Sequence, residues 1–118
     1  MNIGYGFSLI NTVVSRLGVA TYVFEDDEEG KYKSTFKISA CRNDRSTGGC
    51  SCGLSKETVT INGVDVQLAY TERDNYANFE TPDYLVSCIG SNMDTETWFD
   101  VLSRVVEITL AGSILPQH

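Results

Sequence analysis

Histidine is nearly absent from this chain of 118 residues, because the only one is His118 at the very end. Chain ends are usually poorly ordered, so a fixed imidazole for proton transfer is not expected. Catalytic triads and Cys–His pairs both need a histidine as the base. We therefore predict a protein that is not an enzyme and uses no cofactor. The sequence leaves open catalysis by carboxylates alone, for example Asp74, Glu80 or Asp83.

Long apolar runs and basic residues are also scarce. No stretch approaches the roughly 18 apolar residues that cross a membrane, and residues 1–18 lack the basic region of a signal peptide. Sixteen acidic residues face nine basic ones, which gives a net charge of −7. This charge repels nucleic-acid phosphates and anionic lipids. We expect a cytoplasmic protein (in the host cytoplasm if the chain is viral) that contacts neither membranes nor nucleic acid directly.

The length and the apolar content of 42% fit one domain over residues 1–118. Asn62-Gly63 is typical of a type I′ turn, and it would pair Ile61 with Val64 and Val59 with Val66. A second hairpin joins residues 19–25 to residues 31–40, which alternate between apolar and polar. Residues 84–89 form a further strand. Residues 41–56 and 71–82 are predicted to be loops.

Two segments have helical spacing. The first would be capped by Ser8 and ended by Gly18, and its apolar residues are Leu9, Ile10, Val13, Val14 and Leu17. The second would be capped by Asp94 or Thr95 and ended by Gly112, with an apolar side between them. The prediction is an α+β domain. Its antiparallel sheet of about five strands (two hairpins plus one strand) would carry an N-terminal and a C-terminal helix on one face.

The densest run of charge is acidic and consists of Glu25, Asp26, Asp27, Glu28 and Glu29. Such a run can simply keep a hairpin tip in water. It can also meet a basic surface of another protein, which speeds their encounter and makes binding sensitive to salt. We predict partner binding through these five residues.

The segment 73–80 combines aromatic, amide and charged side chains, a mixture common at recognition surfaces. Tyr76 and Phe79 are predicted to contact the partner, or else to anchor the loop on the core. In an alternative, an oligomer sequesters a small nucleotide-type ligand in a pocket. That pocket would be lined by Arg73, Asn92, Asp94 and Arg104.

The four cysteines lack the paired C-x₂-C spacing of a zinc site. We predict no metal and interpret them as a buried apolar side chain and loop thiols. One alternative is a zinc site formed by Cys41, Cys50, Cys52 and Cys88. The other is a disulfide under oxidising conditions, and the sequence does not show which cysteines would pair.

These features predict a small acidic binding protein. In size, charge and lack of a catalytic signature it is similar to many short virus-encoded proteins. Those proteins inhibit host defences, and a CRISPR complex is one example of such a defence. That similarity implies an inhibitor that blocks a basic, nucleic-acid-binding surface. A further alternative is a structural or assembly subunit that associates through the apolar side of residues 94–111. A homodimer would use a sheet edge or this helix.

Overall fold

In the computed structural model, seven strands form one sheet and a single helix follows them. The structure describes residues 3–26, 34–43 and 57–115. The elements, in chain order, are β1 (Phe7–Val14), β2 (Ala20–Asp26), β3 (Thr35–Arg42), β4 (Glu57–Ile61), β5 (Val64–Tyr70), β6 (Asp74–Glu80), β7 (Tyr84–Ser91) and α1 (Thr95–Leu110).

Every pair of neighbouring strands is antiparallel, and the order across the sheet is β1-β2-β3-β7-β6-β5-β4. The chain therefore makes two meanders, β1 to β3 and β4 to β7. They join where β3 pairs with β7, so the centre of the sheet is built from strands far apart in sequence. The two edge strands are β1 and β4.

The predicted N-terminal helix is wrong, because residues 7–14 form strand β1. Thr12, Val13 and Val14 are β-branched and fit a pleated strand better than a helix. Gly18 has a φ of 81° and belongs to the turn into β2, where its N–H donates to the Ser15 carbonyl at 3.1 Å. The apolar spacing resembled a helical face because this edge strand carries apolar side chains on both faces.

The predicted loop over residues 71–82 is wrong as well, because it contains β6. Asp74, Asn75 and Asn78 are poor strand formers, yet β6 lies between β5 and β7 and pairs with both. Pairing on two sides outweighs such local preferences. The sheet thus has seven strands instead of five, and one helix instead of two.

Two local predictions are confirmed. In the β4–β5 hairpin, Ile61 pairs with Val64 and Val59 with Val66. Asn62 and Gly63 have φ angles of 51° and 80°, as a type I′ turn requires. The C-terminal helix is also present, with Asp94 as its N-cap and Gly112 just beyond its end.

The hydrophobic core lies between α1 and one face of the sheet. Trp98 is fully buried and packs against Phe36, with ring centroids 5.6 Å apart. It also covers Gly90, where an added Cβ would lie 2.7 Å from two of its ring carbons. Tyr22 donates its hydroxyl proton to the Ile114 carbonyl at 2.9 Å and so ties β2 to the segment after the helix. The apolar side of α1 is therefore buried against the sheet of the same chain.

Candidate functional site

The face of the sheet opposite α1, here called the open face, carries most of the polar side chains of the strands. Side chains alternate along each strand, and the apolar set points to the helix. Paired residues share a face, so the register identifies a row of small polar residues across six strands. This polar row consists of Thr58, Gln67, Asn78, Ser87, Ser39 and Thr21.

Hydrogen bonds fix the middle of the polar row. Ser87 Oγ donates to Asn78 Oδ1 at 2.7 Å, and the hydroxyls of Thr21 and Ser39 lie 3.4 Å apart. Asn78 is only 9% exposed because its neighbours in the sheet surround it. The centre of the open face is thus an ordered surface of amides and hydroxyls.

The charges on the open face are mostly negative. In the described strands it carries four carboxylates, those of Glu25, Asp65, Asp74 and Glu80, and one ammonium group, that of Lys37. Thr60 donates to Asp65 Oδ1 at 3.0 Å across the β4–β5 hairpin. The acidic side chains lie around the polar row, and so the field of this face favours cationic groups.

Asp74 is the most extensively bonded of these carboxylates. Ser91 Oγ donates to its Oδ1 at 2.6 Å, and Tyr76 Oη donates to its Oδ2 at 3.3 Å. Two hydroxyl donors hold the carboxylate in place, and the residues that the structure describes include no histidine that could activate Ser91 as a nucleophile. This cluster suits binding by hydrogen bonds and charge.

A cleft of about 710 Å³ opens at the end of the sheet where the β4–β5 and β6–β7 turns lie. Its polar lining includes Asp65, Glu80, Gln67 and Asn78, and among the residues that the structure describes no lysine or arginine lines it. Leu110 at the end of α1 is among its apolar residues. The chemistry of this lining fits a long basic side chain, whose stem is apolar and whose head is cationic.

The acidic run of the sequence does not form one surface in the residues that the structure describes. Glu25 points to the open face, and the next residue, Asp26, points to the opposite one. Asp27, Glu28 and Glu29 lie outside the described residues. Of this run, the structure places only Glu25 with the polar row.

Tyr76 and Phe79 are separated by the pleat of β6. Phe79 is 5% exposed and belongs to the hydrophobic core. Tyr76 lies on the open face beside Asp74. The structure therefore leaves only Tyr76 available to a partner on this face.

The alternative ligand pocket is brought together only in part. Asn92 N donates to the Arg73 carbonyl at 3.2 Å. Asp94 caps α1 through Thr97, and hydrogen bonds from Thr97 lower the pKa of its carboxyl group. Arg104 lies ten residues along the helix, about 15 Å away, and pairs with Glu107. Arg104 thus does not join the other three residues.

Two of the four cysteines can be placed. Cys88 is fully buried on the helix side of β7, and burial raises the pKa of its thiol. Cys41 lies on β3 with its side chain toward the open face. Cys50 and Cys52 lie outside the described residues. Since Cys41 and Cys88 point to opposite faces of the sheet, one zinc ion cannot bind both.

The sequence prediction missed the polar row and the cleft because it treated residues 74–80 as a loop. A short signal was present, since apolar Ala77 and Phe79 alternate with polar Asn78 and Glu80 at a period of two. The many Asn and Asp residues masked that signal.

Comparisons with family models, with curated proteins and with solved structures found no match for this chain. In the part of the chain that the structure describes, no helix is long and apolar enough to cross a membrane.

Proposed function

We propose that this chain is a non-enzymatic binding protein whose open face docks on a basic surface of another protein. The observation that carries the proposal is the distribution of charge on that face. Four carboxylates and one ammonium group surround a row of amides and hydroxyls in the described strands. Such a surface attracts a cationic partner and offers it hydrogen bonds in a fixed pattern.

The acidic cleft gives the partner a point of attachment. An arginine or lysine side chain would place its stem along exposed Leu110 and its charged head near Asp65 and Glu80. A guanidinium group donates two parallel hydrogen bonds to one carboxylate, which adds direction to the charge attraction. The cleft therefore favours a partner with an exposed basic side chain.

The partner class follows from the same chemistry. Exposed basic surfaces on proteins often bind nucleic-acid phosphates, and an acidic protein that covers one competes with the nucleic acid. A virus-encoded inhibitor of a host defence complex would act in this way. The net charge of −7 supports this assignment, because it speeds the approach to a basic target and disfavours direct binding to nucleic acid.

A hepta-arginine peptide tests the open face as a cation-binding surface. We expect it to bind the wild-type chain, and we expect Asp65→Asn with Glu80→Gln to weaken binding about tenfold, or about 1.4 kcal/mol. Isothermal titration at low and high salt measures both effects. Affinity capture from native lysate should then retain a basic protein on the wild-type chain and lose it on this double variant.

The matched control neutralises Glu96 and Asp100, two exposed carboxylates on α1. Glu96→Gln with Asp100→Asn removes the same net charge from the other side of the sheet. An equal loss of peptide affinity in both double variants would mean that net charge alone matters, and the open face would then not be the site. Peptide binding that is unchanged by salt would also contradict the proposal.

A further inference from the structure

Two acidic side chains of the cleft lie directly opposite each other in the sheet. Val66 pairs with Phe79, and the same antiparallel register places Asp65 beside Glu80 on the open face. Cross-strand neighbours of this kind have Cβ atoms about 5 Å apart, and like charges in that position destabilise a sheet. The fold therefore keeps an unfavourable pair of charges in the lining of the cleft.

Each of the two carboxylates is oriented by one neutral donor. Thr60 Oγ1 donates to Asp65 Oδ1 at 3.0 Å, and Asn43 Nδ2 donates to Glu80 Oε2 at 3.4 Å. The Asn43 amide is itself held by a hydrogen bond of 2.8 Å to the Thr81 carbonyl. In the described part of the chain, the second oxygen of each carboxylate has no hydrogen-bond donor. The pair is thus held in place without losing its charge.

The two basic side chains of proteins would meet this pair differently. A guanidinium group is planar and has five N–H donors in a fixed fork, so it bonds one carboxylate with two donors and reaches a second with the others. An ammonium group is a compact charge that is more strongly hydrated. It therefore loses more hydration on entering a cleft that is lined in part by Leu85 and Leu110.

We infer that the cleft selects arginine over lysine on the partner, and that Thr60 is a positioning residue for this selection. The inference rests on the proposed function and adds to it the identity of the contacting side chain. The guanidinium group lies between Asp65 and Glu80 and relieves the repulsion between them. Thr60 keeps the Asp65 carboxylate turned so that its second oxygen accepts from the guanidinium group.

The test compares hepta-arginine with hepta-lysine, two peptides of equal side-chain charge, by isothermal titration at about 0.15 M salt. The wild-type chain should bind hepta-arginine about tenfold more tightly than hepta-lysine. Asp65→Asn with Glu80→Gln should reduce this ratio to below about threefold, because only general charge attraction remains. Glu96→Gln with Asp100→Asn should keep the tenfold ratio, since these carboxylates lie on α1.

The role of Thr60 is tested by removing its hydroxyl group alone. Thr60→Val should reduce the ratio to about threefold and leave the affinity for hepta-lysine unchanged, because no charge is lost. Thr60→Ser keeps the donor and should restore the ratio. Thr58→Val is the matched control, since Thr58 is an exposed threonine on the same strand and face. A merely structural role would lower both affinities together.

The outcomes separate this inference from the proposed function. Equal affinity of the wild-type chain for the two peptides would overturn the inference alone, and binding of neither peptide would contradict the proposed function as well. A preference for arginine that survives neutralisation of Asp65 and Glu80, or that Thr60→Ser does not restore, would also overturn it. Circular dichroism verifies the fold of each variant, and the wild-type comparison needs no substitution.

Discussion

The two faces of the sheet use the same seven strands and differ in burial and in the share of polar side chains. On the helix face, β7 presents Val86, Cys88 and Gly90, which are buried beneath α1. On the open face the same strand presents Leu85, Ser87, Ile89 and Ser91, which remain partly exposed. Successive residues along the strand therefore alternate between the packed interior and the partly exposed surface.

Because of this difference, residues that determine stability and residues that determine binding lie on opposite faces of the sheet. Side chains on the helix face fill a close-packed space, so a change in their volume alters stability. Most side chains on the open face are partly or fully exposed, so substitutions there mainly alter what the surface can bind. The proposed function rests on the open face for this reason.

The largest effect should come from filling the space at Gly90. An added Cβ would meet Trp98 at 2.7 Å and Met93 Sδ at 2.8 Å. Gly90→Val should therefore lower the free energy of unfolding by about 3 kcal/mol through overpacking. Urea denaturation measures this loss. On the open face, Ser39→Val should change the same quantity by less than about 0.5 kcal/mol, and similar losses at both positions would refute the contrast.

The second effect concerns pH and Cys88. Burial raises the pKa of its thiol above the ordinary value of 9.0. Below that pH the thiol is protonated in both the folded and the unfolded chain. Above it the unfolded chain releases the proton while the folded chain keeps it, so stability falls by about 1.4 kcal/mol per pH unit from this group.

Urea denaturation of the wild-type chain and of Cys88→Ala at pH 8, 9 and 10 isolates this contribution. The variant should lose less stability between pH 9 and pH 10, since the other titrating groups are common to both proteins. Parallel losses in the two proteins would show that the Cys88 thiol is not buried as described.

The smallest effect belongs to Ser87, the neighbour of Cys88 on the open face. Ser87→Ala removes the 2.7 Å hydrogen bond to Asn78 and should lower the free energy of unfolding by about 1 kcal/mol. Urea denaturation at pH 7 provides the value. A loss as large as that of Gly90→Val would mean that the open face also supports the fold.

The elements that the sequence predicted correctly are those whose determinants are local. The β4–β5 hairpin follows from the turn chemistry of Asn62-Gly63, and α1 follows from its apolar periodicity and from Asp94 as its cap. Strand β1 was mistaken for a helix because apolar residues on both faces of an edge strand have no clear period of two. Strand β6 was missed because its Asn and Asp residues favour turns unless neighbouring strands pair with them.

The candidate site was less accessible to sequence reasoning. Tyr76 and Phe79 were predicted together as partner contacts, and only the pleat of β6 separates Tyr76 on the open face from Phe79 in the core. Gln67, Asn78, Ser87 and Ser39 lie in one row only because two meanders meet at β3 and β7. No spacing in the sequence encodes that meeting.

The sequence by itself determined the acidic charge, the low histidine content, one hairpin and one helix, since these depend on composition or on contacts within a few residues. The tertiary structure decided which strands pair and which carboxylates share a face. Those properties arise from contacts between residues far apart along the chain, where burial and pairing outweigh local preference.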